Sequence, residues 1–128
     1  MNSSVKRHLE RIIKTLKNKQ EIVAVYLFGS YAQGTQTVRS DIDVCVITTN
    51  EIADEAEADI GSMYSDAIDL VIFKNLPLHI KFRVLREGKE LFVTDEKKLA
   101  FIKSKIIKEY LDYEPVLTRL TNAVLAVR

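Results

Sequence analysis

The 128-residue chain has no tryptophan, one cysteine, two prolines and four glycines. A lone thiol cannot form an internal disulfide, so a reducing cytoplasm is the expected compartment. No apolar run approaches the roughly 20 residues that a membrane-spanning helix needs. The start, Met1-Asn2-Ser3-Ser4-Val5-Lys6-Arg7, has no signal-peptide apolar core, and no membrane contact is expected. Neither sign of charge prevails, with 19 Lys and Arg against 18 Asp and Glu and a formal net charge of +1. That balance argues against a protein that wraps long nucleic acid by bulk electrostatics, and no direct nucleic-acid partner is expected. Internal repeats and low-complexity linkers are absent as well.

What is present is an ordinary globular composition, 47% hydrophobic and 29% charged, at a length suited to one domain spanning residues 1–128. A large acceptor substrate must then be presented by another chain. The charge is uneven along the sequence. From Asn50 to Phe73 every ionisable residue is acidic, whereas from Lys74 to Lys108 basic residues dominate, so one side could meet an acidic or anionic partner.

Hydrophobic spacing outlines an α/β (α+β) fold, a small mixed sheet flanked by helices. Val5, Leu9, Ile12, Ile13 and Leu16 recur at helical intervals and predict a helix over about 4–19. Ile22 to Phe28, Asp41 to Thr48 and Ala67 to Phe73 are apolar, β-branched runs that read as strands covered on both faces. Residues 51–63 read as a solvated helix, and Pro77 suits the start of a basic helix over 78–86. Residues 89–93 read as a short peripheral strand, closing a core of about 22–93. Two C-terminal helices are predicted over about 95–127, the first capped by Asp95 and interrupted by Pro115.

Three of these strands deliver the residues that carry chemistry. The first ends in Gly29-Ser30, where glycine lets backbone approach a phosphate and the serine adds a hydroxyl beside free N–H donors. The second opens with Asp41-Ile42-Asp43, whose carboxylates share a face because strand side chains alternate. The third carries Asp69, which an adjacent strand position could bring beside them. Three close carboxylates repel one another and are sustained by cations between them. An oxygen-only donor set favours Mg²⁺, with Mn²⁺ as a substitute. Metal on one side and a phosphate cradle on the other suit in-line displacement at the α-phosphate of a nucleoside triphosphate.

Gly29-Ser30, ten residues, then Asp41-x-Asp43 resembles the signature of the DNA polymerase β-like nucleotidyltransferase superfamily. The phrases Phe28-Gly29-Ser30-Tyr31-Ala32 and Ser40-Asp41-Ile42-Asp43, with Leu85-Arg86-Glu87-Gly88-Lys89-Glu90-Leu91-Phe92 downstream, are similar to the minimal nucleotidyltransferases, the MNT antitoxins that accompany HEPN ribonuclease toxins. The resemblance implies a nucleotidyltransferase fold and transfer of AMP from ATP to a tyrosine of a cognate HEPN-type toxin. It implies that Asp41 and Asp43 bind two Mg²⁺ ions, that Asp69 assists one metal and acts as general base, and that Gly29 and Ser30 hold the β- and γ-phosphates. Gln33 departs from the pattern, standing where many relatives have arginine; Arg39 or Lys81 could substitute.

Other features read more plainly. Cys45 is a small buried hydrophobe, Asp66 a turn residue and His8 a solvated histidine without a metal-ligand companion. His79, Lys81, Arg83 and Arg86 read as a solvated basic face, with triphosphate contact or docking on an acidic partner as the alternative. The last helix is apolar almost all round and is expected to pack on the domain's own core, with a homo- or hetero-oligomer interface as the other reading. Two further functions remain open at this point: neutralisation of a partner by stoichiometric binding, and nucleotidyl transfer to a small molecule.

Overall fold

The structure, a computed structural model, describes residues 3–29, 42–63 and 67–126. In chain order these form α1 (Ser3–Lys17), β1 (Ile22–Phe28), β2 (Ile42–Thr48), α2 (Asp54–Gly61), β3 (Ile68–Ile72), α3 (Leu78–Glu87), β4 (Lys89–Val93) and α4 (Glu96–Ala126). The strands make one mixed sheet in the order β3-β2-β1-β4, with β1 antiparallel to both β2 and β4 and β2 parallel to β3.

Alternation along β1 and β2 builds two cores. Val25, Val44 and Val46 face one way and pack with Leu9, Ile12 and Leu16 of α1 and Ile60 of α2. Ala24, Tyr26, Cys45 and Ile47 face the other way and pack with Val84 of α3 and Leu99 and Ile106 of α4. Central strands buried on both faces cannot alternate polar and apolar residues, which is why these runs are continuously hydrophobic. The α3 and α4 helices are joined by the Phe82 and Tyr110 rings, stacked with centroids 3.9 Å apart.

Several boundaries differ from the sequence pattern. The acidic helix begins at Asp54 instead of residue 51, because Ile52 is buried ahead of it and Ala53 is extended. Its first turn then carries Asp54, Glu55 and Glu57, favourable at a helix N-terminus. Asp95 does cap α4, accepting the Lys98 backbone N–H at 3.0 Å. Pro115, however, does not divide it: α4 is one helix of 31 residues. Proline removes one hydrogen bond, to the carbonyl four residues earlier; here that is Leu111, and residues 111–116 are exposed, so water can serve the freed acceptor. Nor does the second half of α4 settle on the core. Leu111, Val116, Leu120 and Val124 are all exposed, Val124 at 71%.

Two local arrangements hold the sheet's centre. Tyr26 donates its hydroxyl to Glu90 Oε1 at 2.8 Å, and Lys103 of α4 donates to the same oxygen at 3.1 Å, tying β1, β4 and α4 together. Burial, then the Glu90 carboxylate, pushes the Tyr26 hydroxyl up to about 12. At the end of β1, Gly29 turns the chain with φ +77°, and a Cβ there would lie 2.5 Å from Asp43 Oδ2.

Each arrangement has a measurable consequence. Tyr26→Phe should cost about 1 kcal/mol, read as a lower urea midpoint at unchanged slope. Because the hydroxyl ionises near pH 10 when unfolded and near 12 when folded, its contribution is complete below pH 10 and is lost as the pH rises towards 12. The wild-type midpoint should therefore fall more steeply across that window than that of Tyr26→Phe. Gly29→Ala carries two separable penalties: roughly 1–2 kcal/mol for left-handed backbone, and the collision with Asp43. Asp43→Ala removes only the second, so a thermal-unfolding cycle should show the two sites coupled by about 0.5–3 kcal/mol.

Candidate functional site

Asp43 is the second residue of β2, on the same face as Cys45 and Ile47 and so on the side of the sheet that α3 and α4 cover. Its register partners are Phe28 on β1 and Asp69 on β3. Neighbouring strands run about 4.8 Å apart, so in this parallel pair the two carboxylates stand side by side on one face. Asp43 is half-buried and Asp69 is exposed. The backbone of Gly29 closes the other side of Asp43, where a side chain would strike its carboxylate.

Among the described residues the structure thus brings together Gly29, Asp43 and Asp69, three of the five residues singled out from sequence. Ser30 and Asp41 lie outside the described residues, as do Tyr31, Gln33, Arg39 and Asp66. No group of three His, Cys, Asp or Glu side chains forms a metal cluster among the described residues. The donor chemistry nevertheless suits a hard divalent cation: two adjacent like charges, all oxygen, at the end of a sheet.

The α3 helix borders the site from the β1 side. A cleft of about 150 Å³ runs between them, lined by Phe28, Gly29, Ile80, Arg83, Val84 and Glu87. Arg83 Nε lies 3.7 Å from Glu87 Oε2, and Arg86 reaches Glu87 Oε1 at 2.8 Å. The Arg86 contact, supported by Arg83, holds the Glu87 carboxyl below the usual carboxylate range.

The basic face read from α3 therefore separates into distinct places. The Lys81 ammonium sits 5.7 Å from the Phe73 ring centre, at the opposite end of β3 from Asp69, so it does not stand in for an arginine at the site. Arg86 lies over Phe82 at 5.3 Å. Arg83 alone of these lines the cleft. The signal that would have found it is spacing: residues 80, 83, 84 and 87 form one helical stripe centred on buried Val84.

Two other reactive side chains have apolar surroundings. Burial pushes the Cys45 thiol up to about 12, so it stays protonated two residues from Asp43. His8, expected in solvent, is half-buried, and its Nε2 is shielded without a hydrogen-bond partner.

Residues 10–97 match the family described as Polymerase beta, Nucleotidyltransferase. The chain is 31% identical over 110 residues to the protein adenylyltransferase MntA of Shewanella oneidensis, spanning 81% of this chain and 79% of that one. Among solved structures it resembles a toxin–antitoxin crystal structure with AMP-PNP, at a TM-score of 0.71 and 24% identity over 93% of this chain and 97% of the other. It also resembles a re-refined structure of the tri-AMPylated Shewanella oneidensis HEPN toxin in complex with MNT antitoxin, at a TM-score of 0.67 and 23% identity over 94% and 98% of the two chains. At those identities the two structures establish the shared fold. The family match spans the end of β1, the Asp43–Asp69 register and all of α3, and with these the chain belongs to the polymerase β nucleotidyltransferase family.

Proposed function

We propose that the chain is a Mg²⁺-dependent protein adenylyltransferase, an antitoxin that transfers AMP from ATP to a tyrosine hydroxyl of a cognate HEPN-type ribonuclease toxin and so silences it. The observation that carries this reading is the register of Asp43 with Asp69 beside the side-chain-free edge of Gly29, in a chain of the nucleotidyltransferase family. The relative MntA, a protein adenylyltransferase, and the AMPylated HEPN toxin in a neighbouring structure support the substrate and the partner. A lone buried thiol and the lack of any described helix long and apolar enough to cross a membrane agree with a cytoplasmic setting.

Asp43 and Asp69, with Asp41, would hold the divalent cations, whose charge offsets that of the triphosphate and of the reacting α-phosphate. Gly29 and Ser30 would receive the phosphate chain at the end of β1. Asp69 is exposed on β3, an edge strand, where a hydroxyl presented by another protein can reach it. The acceptor oxygen forms a bond to the α-phosphorus as its proton passes to Asp69. The bond from that phosphorus to the bridging oxygen breaks, and its electron pair leaves with pyrophosphate.

Incubation with ATP, Mg²⁺ and the purified HEPN-type partner should add one or more AMP units to the partner by intact mass, and chelation of the metal should stop the gain. Asp43→Asn should slow transfer by about a hundredfold or more, the scale of several kcal/mol of lost charge stabilisation. The Asp41→Asn, Asp43→Asn double variant should abolish it. If the double variant still inhibits the ribonuclease one to one without ATP, neutralisation is by binding and the transferase reading fails.

A further inference from the structure

We infer that the end of the sheet opposite Gly29 carries a second ligand site, for a nucleoside diphosphate, formed by two adjoining hollows between α1, the β2–α2 connection and α4. It stands independently of the nucleotidyl-transfer reading. Val23, at the start of β1, lines both hollows, whereas Asp43 is in register with Phe28, five residues further along that strand. At about 3.4 Å per residue the hollows and the carboxylates are roughly 17 Å apart.

The first hollow, of about 290 Å³, is the cationic one. Lys17, Lys19 and Lys98 line it, with Asp95 as the one carboxylate among its described lining residues. Asp95 Oδ1 already accepts the Lys98 backbone N–H at 3.0 Å, and Oδ2 stands 4.0 Å from the Lys98 ammonium. Lys19 stands 3.9 Å from Asp59, and Lys17 faces the Phe92 ring at 5.4 Å with no carboxylate partner among the described residues. Exposed pairs at the limit of ion-pairing distance neutralise little. The carbonyl end of α1 and the N–H end of α4 both border this hollow, so their dipoles offset and the three ammoniums set its sign. A diphosphate, with several charged oxygens, engages them together.

The second hollow, of about 420 Å³, adjoins the first through Val23 and Lys98 and has a different character. Phe101 and Ile102 give it an apolar wall, and Thr49, Asn50 and Glu51 give it hydrogen-bonding groups. Phe101 is 70% exposed and packs into neither core, so its ring is available to a ligand. Any nucleobase can stack on such a face. The Glu51 carboxylate repels phosphate but accepts hydrogen bonds from sugar hydroxyls or an amino group. The two hollows therefore order the ligand, with base and sugar beside Phe101 and Glu51 and the phosphates beside the lysines. Together their volume lies within the roughly 300–1,000 Å³ of pockets that hold small molecules. A bare pyrophosphate would use the first hollow alone.

The test is calorimetric binding of ADP, and of inorganic pyrophosphate, to the full chain in EDTA, where the carboxylate end has no cation with which to hold a nucleotide. The wild-type chain should bind one ADP, and Asp43→Asn should bind it within about twofold as tightly. The Lys17→Ala, Lys98→Ala double variant should weaken ADP and pyrophosphate by at least about tenfold. Phe101→Ala should weaken ADP by about 5- to 100-fold, the range for a lost base stack, and leave pyrophosphate within about twofold; Phe101→Tyr should restore ADP. Lys17, Lys98 and Phe101 are exposed, so each variant should unfold close to the wild-type temperature. No saturable ADP binding to the wild-type chain in EDTA overturns the site, as does wild-type affinity in the double variant. Loss of binding in Asp43→Asn assigns the nucleotide to the carboxylate end and overturns it too. Pyrophosphate bound as tightly as ADP, with Phe101→Ala unchanged, reduces the site to an anion contact and overturns the nucleotide. None of these results bears on AMP transfer with Mg²⁺, which is measured separately.

Discussion

The space that would hold a side chain on Gly29 is filled by the Asp43 carboxylate, and much of the site's arrangement follows from that one exclusion. With Oδ2 2.5 Å from where a Cβ would sit, a side chain there would force the carboxylate to turn, and the backbone at φ +77° is one that L side chains rarely adopt. The exclusion fixes how the chain leaves β1. It also fixes Asp43, which is held between this turn and the neighbouring β3 strand. The ladder carries the constraint across the sheet, since Phe28 is in register with Asp43 and Asp43 with Asp69.

The burial gradient along β2 then divides the work. Asp43 is half-buried and Cys45 fully buried, so polarity vanishes within two residues, or roughly 7 Å of strand. The Cys45 thiol, pushed up to about 12, records how poorly the deeper position tolerates charge. A carboxylate one step further in would be neutral or unsupported. Asp43 stands at the half-buried position just before the fully buried part of β2. Asp69, its register partner on β3, is exposed.

Some of this was readable before any coordinates. The runs Ile22–Phe28 and Asp41–Thr48 announce buried strands because packing on both faces demands it, and Asp41-x-Asp43 at a strand's beginning marks where that packing ends. What could not be read is the order of the strands. Asp69 stands beside Asp43 only because β3 pairs with β2 in parallel and in register, a long-range choice that no local spacing encodes. The α3 residues were legible in part: His79, Arg83 and Arg86 are exposed, as a solvated face requires, and Lys81 is half-buried. A run holding Lys81, Arg83 and Arg86 looks uniformly solvated until buried Val84 defines which side faces the sheet, and Arg83 then falls beside the site while Lys81 falls on Phe73. Pro115 misled because a proline breaks a helix only when the carbonyl it abandons has no other partner, and the exposed turn around Leu111 lets water serve.

The same exposure bears on the kind of acceptor. A small acceptor needs walls around it, because an enzyme must supply all the orientation that such a molecule lacks. Among the described residues Asp69 is exposed, on the strand that ends the sheet order. A protein acceptor removes that need, since its hydroxyl arrives already oriented by an interface formed elsewhere on the chain. The second half of α4 leaves Tyr113, Val116, Leu120 and Val124 exposed at helical spacing, apolar area that the domain's own core does not cover. Its exposed apolar stripe and the exposed Asp69 lie on different elements, α4 and β3.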